Sequence, residues 1–139
     1  MSKRQFTTSF ISLVIVFFFN FPVHAGDWFS PLSKADVALV AADTLLLGAD
    51  WSQTRYIAAH PDTFHETNGI IGGHPTTGRV NAYFGAVIPL YWLTAYALPS
   101  KEDHGYKRFI NREYFSITIG AMEGITVGKN ASIRIGMKF

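Results

Sequence analysis

The chain of 139 residues contains no cysteine and has few charged residues. Without cysteine it forms no disulfide and offers no thiol nucleophile. Charged residues make up 16% of the chain, against roughly 25% in soluble globular domains, whereas 48% of the residues are hydrophobic. This composition excludes intrinsic disorder, which needs low hydrophobicity and high net charge. Length and composition together predict a single folded domain.

The common catalytic motifs and a nucleic-acid-binding pattern are also missing. No serine lies in a G-x-S-x-G turn, and no glycine-rich phosphate loop is present. The formal charge of +2 comes from Lys3 and Arg4, because ten of the twelve basic residues and all ten acidic residues lie beyond residue 25. Residues 26–139 therefore carry no net charge and contain no basic cluster. This predicts that nucleic acid is not a partner.

The first 25 residues have the pattern of a secretory signal peptide. The two basic residues precede an almost wholly apolar run over residues 10–21, and Ala25 ends a segment that resembles a cleavage site. The apolar run is about 12 residues long, shorter than the ~20 that span a bilayer. We therefore expect a signal peptide over 1–25 and one domain over 26–139, with an uncleaved anchor as the alternative.

Three stretches rich in apolar residues predict helices over residues 36–57, 79–98 and 106–128. We expect Ser33 to cap the first helix, because Asp36 follows three positions later in a capping-box pattern. Alanine and leucine dominate this first stretch, and both favour helix. The predicted fold is all-α: a small helical membrane bundle of about three helices.

The second stretch has the strongest membrane character. It carries no charge for 18 residues after Arg79, through Ala97, which is long enough to span a bilayer with little tilt. Tyr91, Trp92 and Tyr96 lie toward its end, where a membrane interface places aromatic residues. Together with the signal peptide, this predicts a protein of the bacterial inner membrane, with the periplasm as the alternative.

The third stretch carries small residues at every fourth position. On a helix these residues form one groove, a helix-packing seam that lets another helix approach closely. The alternative is a hairpin within residues 114–139, because apolar and polar residues also alternate there. A short strand or tail is expected from Asn130. The seam consists of Ser116, Gly120, Gly124 and Gly128.

Acidic residues recur along the first predicted helix. Asp36, Asp43 and Asp50 are seven residues apart, so that their carboxylates project from nearly one face, which Gln53 extends. Glu123 lies between Met122 and Gly124 in the third stretch, and we expect it to pair with Asn81 or Arg79 or to share a proton with an aspartate. Such acids serve either as a proton or ion path, with a raised pKa, or as a structural polar stripe that hydrogen-bonds other helices.

The connection between the first two helices offers possible metal ligands. His60, His65, Glu66 and His74 all have suitable donor atoms. Their spacing fits none of the common zinc motifs, and the many glycine, proline and asparagine residues indicate tight turns instead. The sequence therefore predicts neither a metal site nor a cofactor.

Three short motifs lie in this part of the chain: Asp-Trp-Ser-Gln-Thr from Asp50, Glu-Thr-Asn-Gly-Ile-Ile-Gly-Gly-His-Pro from Glu66, and Arg-Val-Asn-Ala-Tyr-Phe from Arg79. They resemble motifs of a group of small uncharacterised bacterial and phage-associated membrane proteins, in which proline usually replaces Gly69. The resemblance implies a membrane fold of three or four helices and implies no activity. The matching positions are Asp50, Gln53, Glu66, Asn68, His74, Arg79, Asn81 and Asn130.

Two functions follow as hypotheses. The first is a structural or accessory module of a membrane assembly, in contact with the lipid bilayer and with a membrane protein or a second copy. The alternative is a membrane-embedded enzyme or proton-handling protein that uses Asp43, Asp50, Glu66, His74 and Glu123; no catalytic residue is assigned, and Asp50, Glu66 and His74 are the candidates. Convergence of the polar residues in one pocket favours the alternative. The predicted polar cluster comprises Asp43, Asp50, Gln53, Glu66, Asn68, His74, Arg79, Asn81, Glu123 and Asn130.

Overall fold

The computed structural model describes residue 29 and residues 31–100 and 111–139. These residues form three helices, α1 (Lys34–Ala59), α2 (Thr77–Ala97) and α3 (Arg112–Ser132), and they contain no strand. The all-α prediction is confirmed, and the hairpin alternative for the third stretch is wrong. The predicted signal peptide and the beginning of the third predicted stretch lie outside the described residues.

Helix α1 begins as the capping pattern predicts. The Ser33 hydroxyl accepts a hydrogen bond from the Asp36 backbone N–H at 3.1 Å, and the Asp36 carboxylate accepts one from the Ser33 N–H at 2.9 Å. These two bonds satisfy two backbone donors at once. The helix ends at Ala59, because His60 precedes Pro61 and the residue before a proline avoids the helical region.

Helices α2 and α3 begin with side-chain caps as well. The Thr76 hydroxyl accepts from the Arg79 N–H at 3.3 Å, and the Asn111 side-chain carbonyl accepts from the Tyr114 N–H at 2.9 Å. Each cap supplies an acceptor for one of the backbone donors that a helix start leaves unpaired. Helix α2 contains Pro89 within its length, and the side chain of this proline is exposed.

The chain after α3 is a tail rather than a strand. Arg134 adopts a left-handed backbone conformation (φ 65°), and the Ile135 N–H donates to the Asn130 carbonyl at 3.1 Å. This turn sends residues 133–139 back along α1, where the Lys138 N–H donates to the Ser52 carbonyl at 3.2 Å. Ile135 is buried. The sequence predicted either a short strand or a tail from Asn130, and the structure has the tail.

Helix α1 lies between the other two and packs against both, whereas α2 and α3 contact each other much less. Their mutual contacts lie near the end of α2 and the beginning of α3, where Tyr91 stacks on Phe115 with ring centroids 5.7 Å apart. A hydrophobic cluster around Leu47, Tyr91 and Ala95 fills this region. Other residues of α2 and α3 contribute to the lining of a cavity, which is described below.

Arg112 joins the three helices at their closely packed end. Its side chain is fully buried, and its Nε donates to the Ala95 carbonyl at 2.6 Å. Its Nη2 donates to the Tyr96 carbonyl at 3.2 Å, and its Nη1 donates to the Asp36 carboxylate at 2.9 Å. The guanidinium therefore satisfies carbonyls near the C-terminus of α2 and forms an ion pair with the N-terminus of α1.

Only part of the predicted helix-packing seam is used within the chain. Ser116 is fully buried, and a side chain at Gly120 would collide with the Asp43 carboxylate, so these two positions let α3 approach α1 closely. A Cβ atom at Gly124 or Gly128 would have no neighbour within 4 Å. The seam is thus a contact surface along its first half and open along its second.

None of the helices in the described ranges is both long enough and apolar enough to cross a membrane. The prediction that residues 79–98 form a spanning helix is therefore not supported. The physical reason lies in the polar groups of α2, among them Asn81, Thr94 and the tyrosines, which lower its apolarity below that of a spanning segment.

Candidate functional site

A cavity of about 190 Å³ opens between the three helices and the loop that connects α1 to α2. It is large enough to hold several water molecules or a small organic ligand. No lysine or arginine is among the described residues that line it. The lining residues are Leu47, Asp50, Thr54, Glu66, Thr67, Asn68, Tyr83, Phe84, Val87, Glu123 and Thr126.

Three carboxylates from three different segments meet at this cavity. Asp50 comes from α1, Glu66 from the connecting loop and Glu123 from α3. One carboxylate oxygen of Glu123 is buried without a hydrogen-bond partner among the residues that the structure describes. A buried carboxylate in this state favours its protonated form or a cationic ligand.

The loop holds Glu66 in a fixed position. One Glu66 carboxylate oxygen accepts from the Asn68 N–H at 2.7 Å, and the Glu66 N–H donates to the Gly73 carbonyl at 2.9 Å. The Asn68 side chain accepts from the Ile70 N–H at 3.0 Å, and its carbonyl accepts from Gly72. Gly72 has a φ of 79°, in the left-handed region that glycine tolerates best.

Burial and mutual repulsion shift the titration of the pocket residues. Burial raises the pKa of Asp50 to about 7, and the negative charges of Glu123 and Glu66 contribute to the increase. Burial, followed by the charge of Asp43, also raises the pKa of Glu123. The pKa of Tyr83 is raised by burial, against a hydrogen bond with Asn68 that lowers it. The pocket therefore holds a proton close to neutral pH.

Asp43 is buried in a separate hydrogen-bonded group. Its carboxylate accepts from the Tyr91 hydroxyl at 2.5 Å, and that hydroxyl lies 3.2 Å from the Ser116 hydroxyl. Burial raises the pKa of Asp43, whereas the hydrogen bonds from Tyr91 and Ser116 lower it. Asp43 does not line the cavity, and its partners give it a role in joining the three helices.

The other residues of the predicted polar cluster make separate contacts away from the cavity wall. Asn81 accepts from the Trp51 indole at 3.0 Å, and Arg79 donates to the Ile70 carbonyl at 2.8 Å. Gln53, which is 1% exposed, donates to the Val127 carbonyl at 3.2 Å. Neither Arg79 nor Asn81 is the partner of Glu123 that the sequence suggested.

Of the three catalytic candidates, the structure brings Asp50 and Glu66 together at the cavity and leaves His74 outside it. His74 is exposed on the loop beside His65. No group of three or more histidine, aspartate or glutamate side chains suited to a metal ion occurs within the described ranges.

Several cavity residues were missed in the sequence. Thr54 follows Asp50 by four positions and Thr126 follows Glu123 by three, so helical spacing places each of them on the same face as an acid. That signal was available. Tyr83 lies in the Arg-Val-Asn-Ala-Tyr-Phe motif, but nothing in the motif indicates that its side chain faces the acids of two other segments.

Comparison with protein-family models, curated proteins and solved structures finds no match to this chain. The candidate site therefore rests on the geometry and electrostatics of the cavity.

We predict that Asp50 makes the protein less stable as the pH rises toward neutrality. The pKa of Asp50 is about 7 in the folded chain, against 3.8 for an aspartate in its ordinary state, so the folded state binds the proton more tightly than the unfolded state does. The stabilisation that comes from this proton is therefore complete below about pH 4 and is lost as the pH rises through about 7. Urea unfolding measures the free energy of unfolding at about pH 5 and about pH 8. Between these two pH values this free energy should fall by ~2 kcal/mol less in Asp50→Asn than in the wild type.

The matched control is Asp62→Asn, which changes an exposed acid outside the cavity. This variant should follow the wild type at both pH values. Equal pH dependence in the wild type and Asp50→Asn would contradict the assignment of a raised pKa to Asp50.

Proposed function

We propose that the protein is a small helical module that binds a proton and small organic cations in the cavity between its helices. The observation that carries this proposal is the convergence of Asp50, Glu66 and Glu123 on one cavity whose described lining contains no basic side chain. This convergence favours the proton-handling hypothesis, with Asp43 and His74 removed from the set of candidate residues.

The chemistry of the lining favours a primary ammonium group as the ligand. Such a group carries a positive charge and three N–H donors, and the cavity lining includes carboxyl groups from three segments of the chain. Asn68 and Tyr83 add neutral polar groups, and Phe84 supplies an apolar wall for a short carbon chain. A cation that enters the cavity replaces the proton of Asp50, because both neutralise the same group of carboxylates.

Titration near neutrality suits this exchange. A carboxyl group with a pKa of about 7 gains or loses its proton with little free energy at neutral pH. Asp50 then acts as the proton-exchanging group. Burial makes the largest contribution to its raised pKa, and the charges of Glu123 and Glu66 raise the pKa further and attract a cation.

Methylammonium is a suitable probe, since it combines the ammonium group with a single carbon. We expect the full chain to bind it saturably at about pH 7.5 and to release protons on binding, measured by calorimetry in two buffers of different ionisation enthalpy. Asp50→Asn should bind about tenfold more weakly and release no protons, because it removes a charge and the exchanging proton.

Asp62→Asn serves again as the control and should bind as the wild type does. Binding of methylammonium that is unchanged in Asp50→Asn, or that releases no protons in the wild type, would rule out the proposed exchange.

A second observation favours the accessory-module hypothesis, in which the same domain associates with the bacterial inner membrane. Large apolar side chains are exposed on all three helices: Leu45 is 76% exposed, Ile125 71% and Leu93 60%. Exposed apolar area of this kind is stabilised by contact with lipid or with an apolar protein surface. We propose that these side chains contact the bilayer, a membrane-protein partner or a second copy of the chain.

Membrane fractionation at neutral pH and moderate salt, without an alkaline wash that would strip surface-bound proteins, tests this association. The wild type should stay with the membrane pellet, and the double variant Leu45→Glu/Ile125→Glu should be released, because charged side chains oppose contact with lipid. Release of the wild type into the soluble fraction would contradict membrane association and would support the periplasmic alternative.

A further inference from the structure

Two histidines on the loop between α1 and α2 lie next to each other outside the carboxylate cavity. The Nδ1 atom of His65 lies 3.4 Å from the Nε2 atom of His74, and their ring planes are 77° apart. Both side chains are exposed, so water and ions have access to them. Neither imidazole lines the cavity.

The backbone of the loop holds this pair in place. The hydrogen bond from the Glu66 N–H to the Gly73 carbonyl, 2.9 Å long, joins the two positions that adjoin the histidines. The His65 ring occupies the space that a Cβ atom at Gly73 would need, so glycine is required there for the ring to lie as it does. The loop therefore presents the two imidazoles together before any ligand binds.

The distance between the two nitrogens fits a shared metal ion. At 3.4 Å it is longer than the 2.7–3.2 Å of an ordinary N–H hydrogen bond. Two nitrogens bound to one tetrahedral zinc ion, each about 2.0–2.1 Å from the metal, are separated by about 3.3–3.4 Å.

We propose that His65 and His74 form a two-histidine site for a divalent transition-metal ion such as zinc. Imidazole nitrogens favour zinc, copper and nickel over magnesium and calcium, which prefer oxygen ligands. Water completes the coordination of the ion. The metal also links the two arms of the loop that positions Glu66 at the cavity. The nine-residue spacing of the two histidines matches no metal motif, which is why the sequence predicted no site.

Zinc titration of the full chain against a chromophoric zinc indicator at about pH 7.5 tests the proposal. We expect one zinc ion per chain in the wild type. His65→Ala and His74→Ala should each bind zinc at least about tenfold more weakly, because each removes one of two protein ligands.

Two control variants separate this site from other zinc ligands in the chain. His60→Ala changes an exposed histidine of the same loop whose Nδ1 bonds to the Tyr56 carbonyl at 2.8 Å, and it should bind zinc as the wild type does. Asp50→Asn should also leave zinc binding unchanged. The zinc titration therefore tests the histidine pair alone, and the methylammonium experiment tests the cavity alone. Unaltered binding in both His65→Ala and His74→Ala, or its loss in Asp50→Asn, would overturn the proposal. Circular dichroism checks that each variant keeps its helices.

Discussion

The structure depends on one fully buried guanidinium, that of Arg112. A buried charge is strongly unfavourable unless it is paired and hydrogen-bonded, and Arg112 meets both conditions through Asp36, Ala95 and Tyr96. These partners belong to the start of α1 and the end of α2, while Arg112 itself begins α3. One side chain thereby fixes where three helices meet, and other residues of the same helices line the cavity.

The three aspartates of α1 show how environment separates residues of one chemical type. Asp36 pairs with Arg112 at the end where the three helices meet, and Asp43 is buried against the hydroxyl of Tyr91. Asp50, another two turns along, lines the cavity with Glu66 and Glu123; burial raises its pKa, and the charges of these two residues raise it further. Of these three aspartates, Asp50 is the one that combines burial and neighbouring negative charges with a cavity, and the proposed proton exchange is placed there for that reason.

Local features of the fold were predictable from the sequence, and long-range ones were not. The capping box of Ser33 and Asp36 depends on residues three positions apart, and the acidic stripe depends on helical periodicity; both signals are contained within α1. The Arg112–Asp36 pair links positions 76 residues apart, and no local pattern specifies it. For the same reason the sequence placed Glu123 in the polar cluster but did not select Asp50 and Glu66, rather than Arg79 and Asn81, as the residues that line the cavity with it. The contact between His65 and His74 depends on the path of the loop, which spacing alone does not define.

The most direct test of this account is the stability of Arg112→Met, measured by urea unfolding of the full chain beside Lys129→Met. Lys129 is an exposed basic residue of the same helix, so this control loses a charge but no buried partner. Removing one member of a buried ion pair leaves the other charge uncompensated, and we expect Arg112→Met to lose about 3–5 kcal/mol, whereas Lys129→Met should unfold close to the wild type. An Arg112→Met variant as stable as the wild type would contradict the central role of this guanidinium.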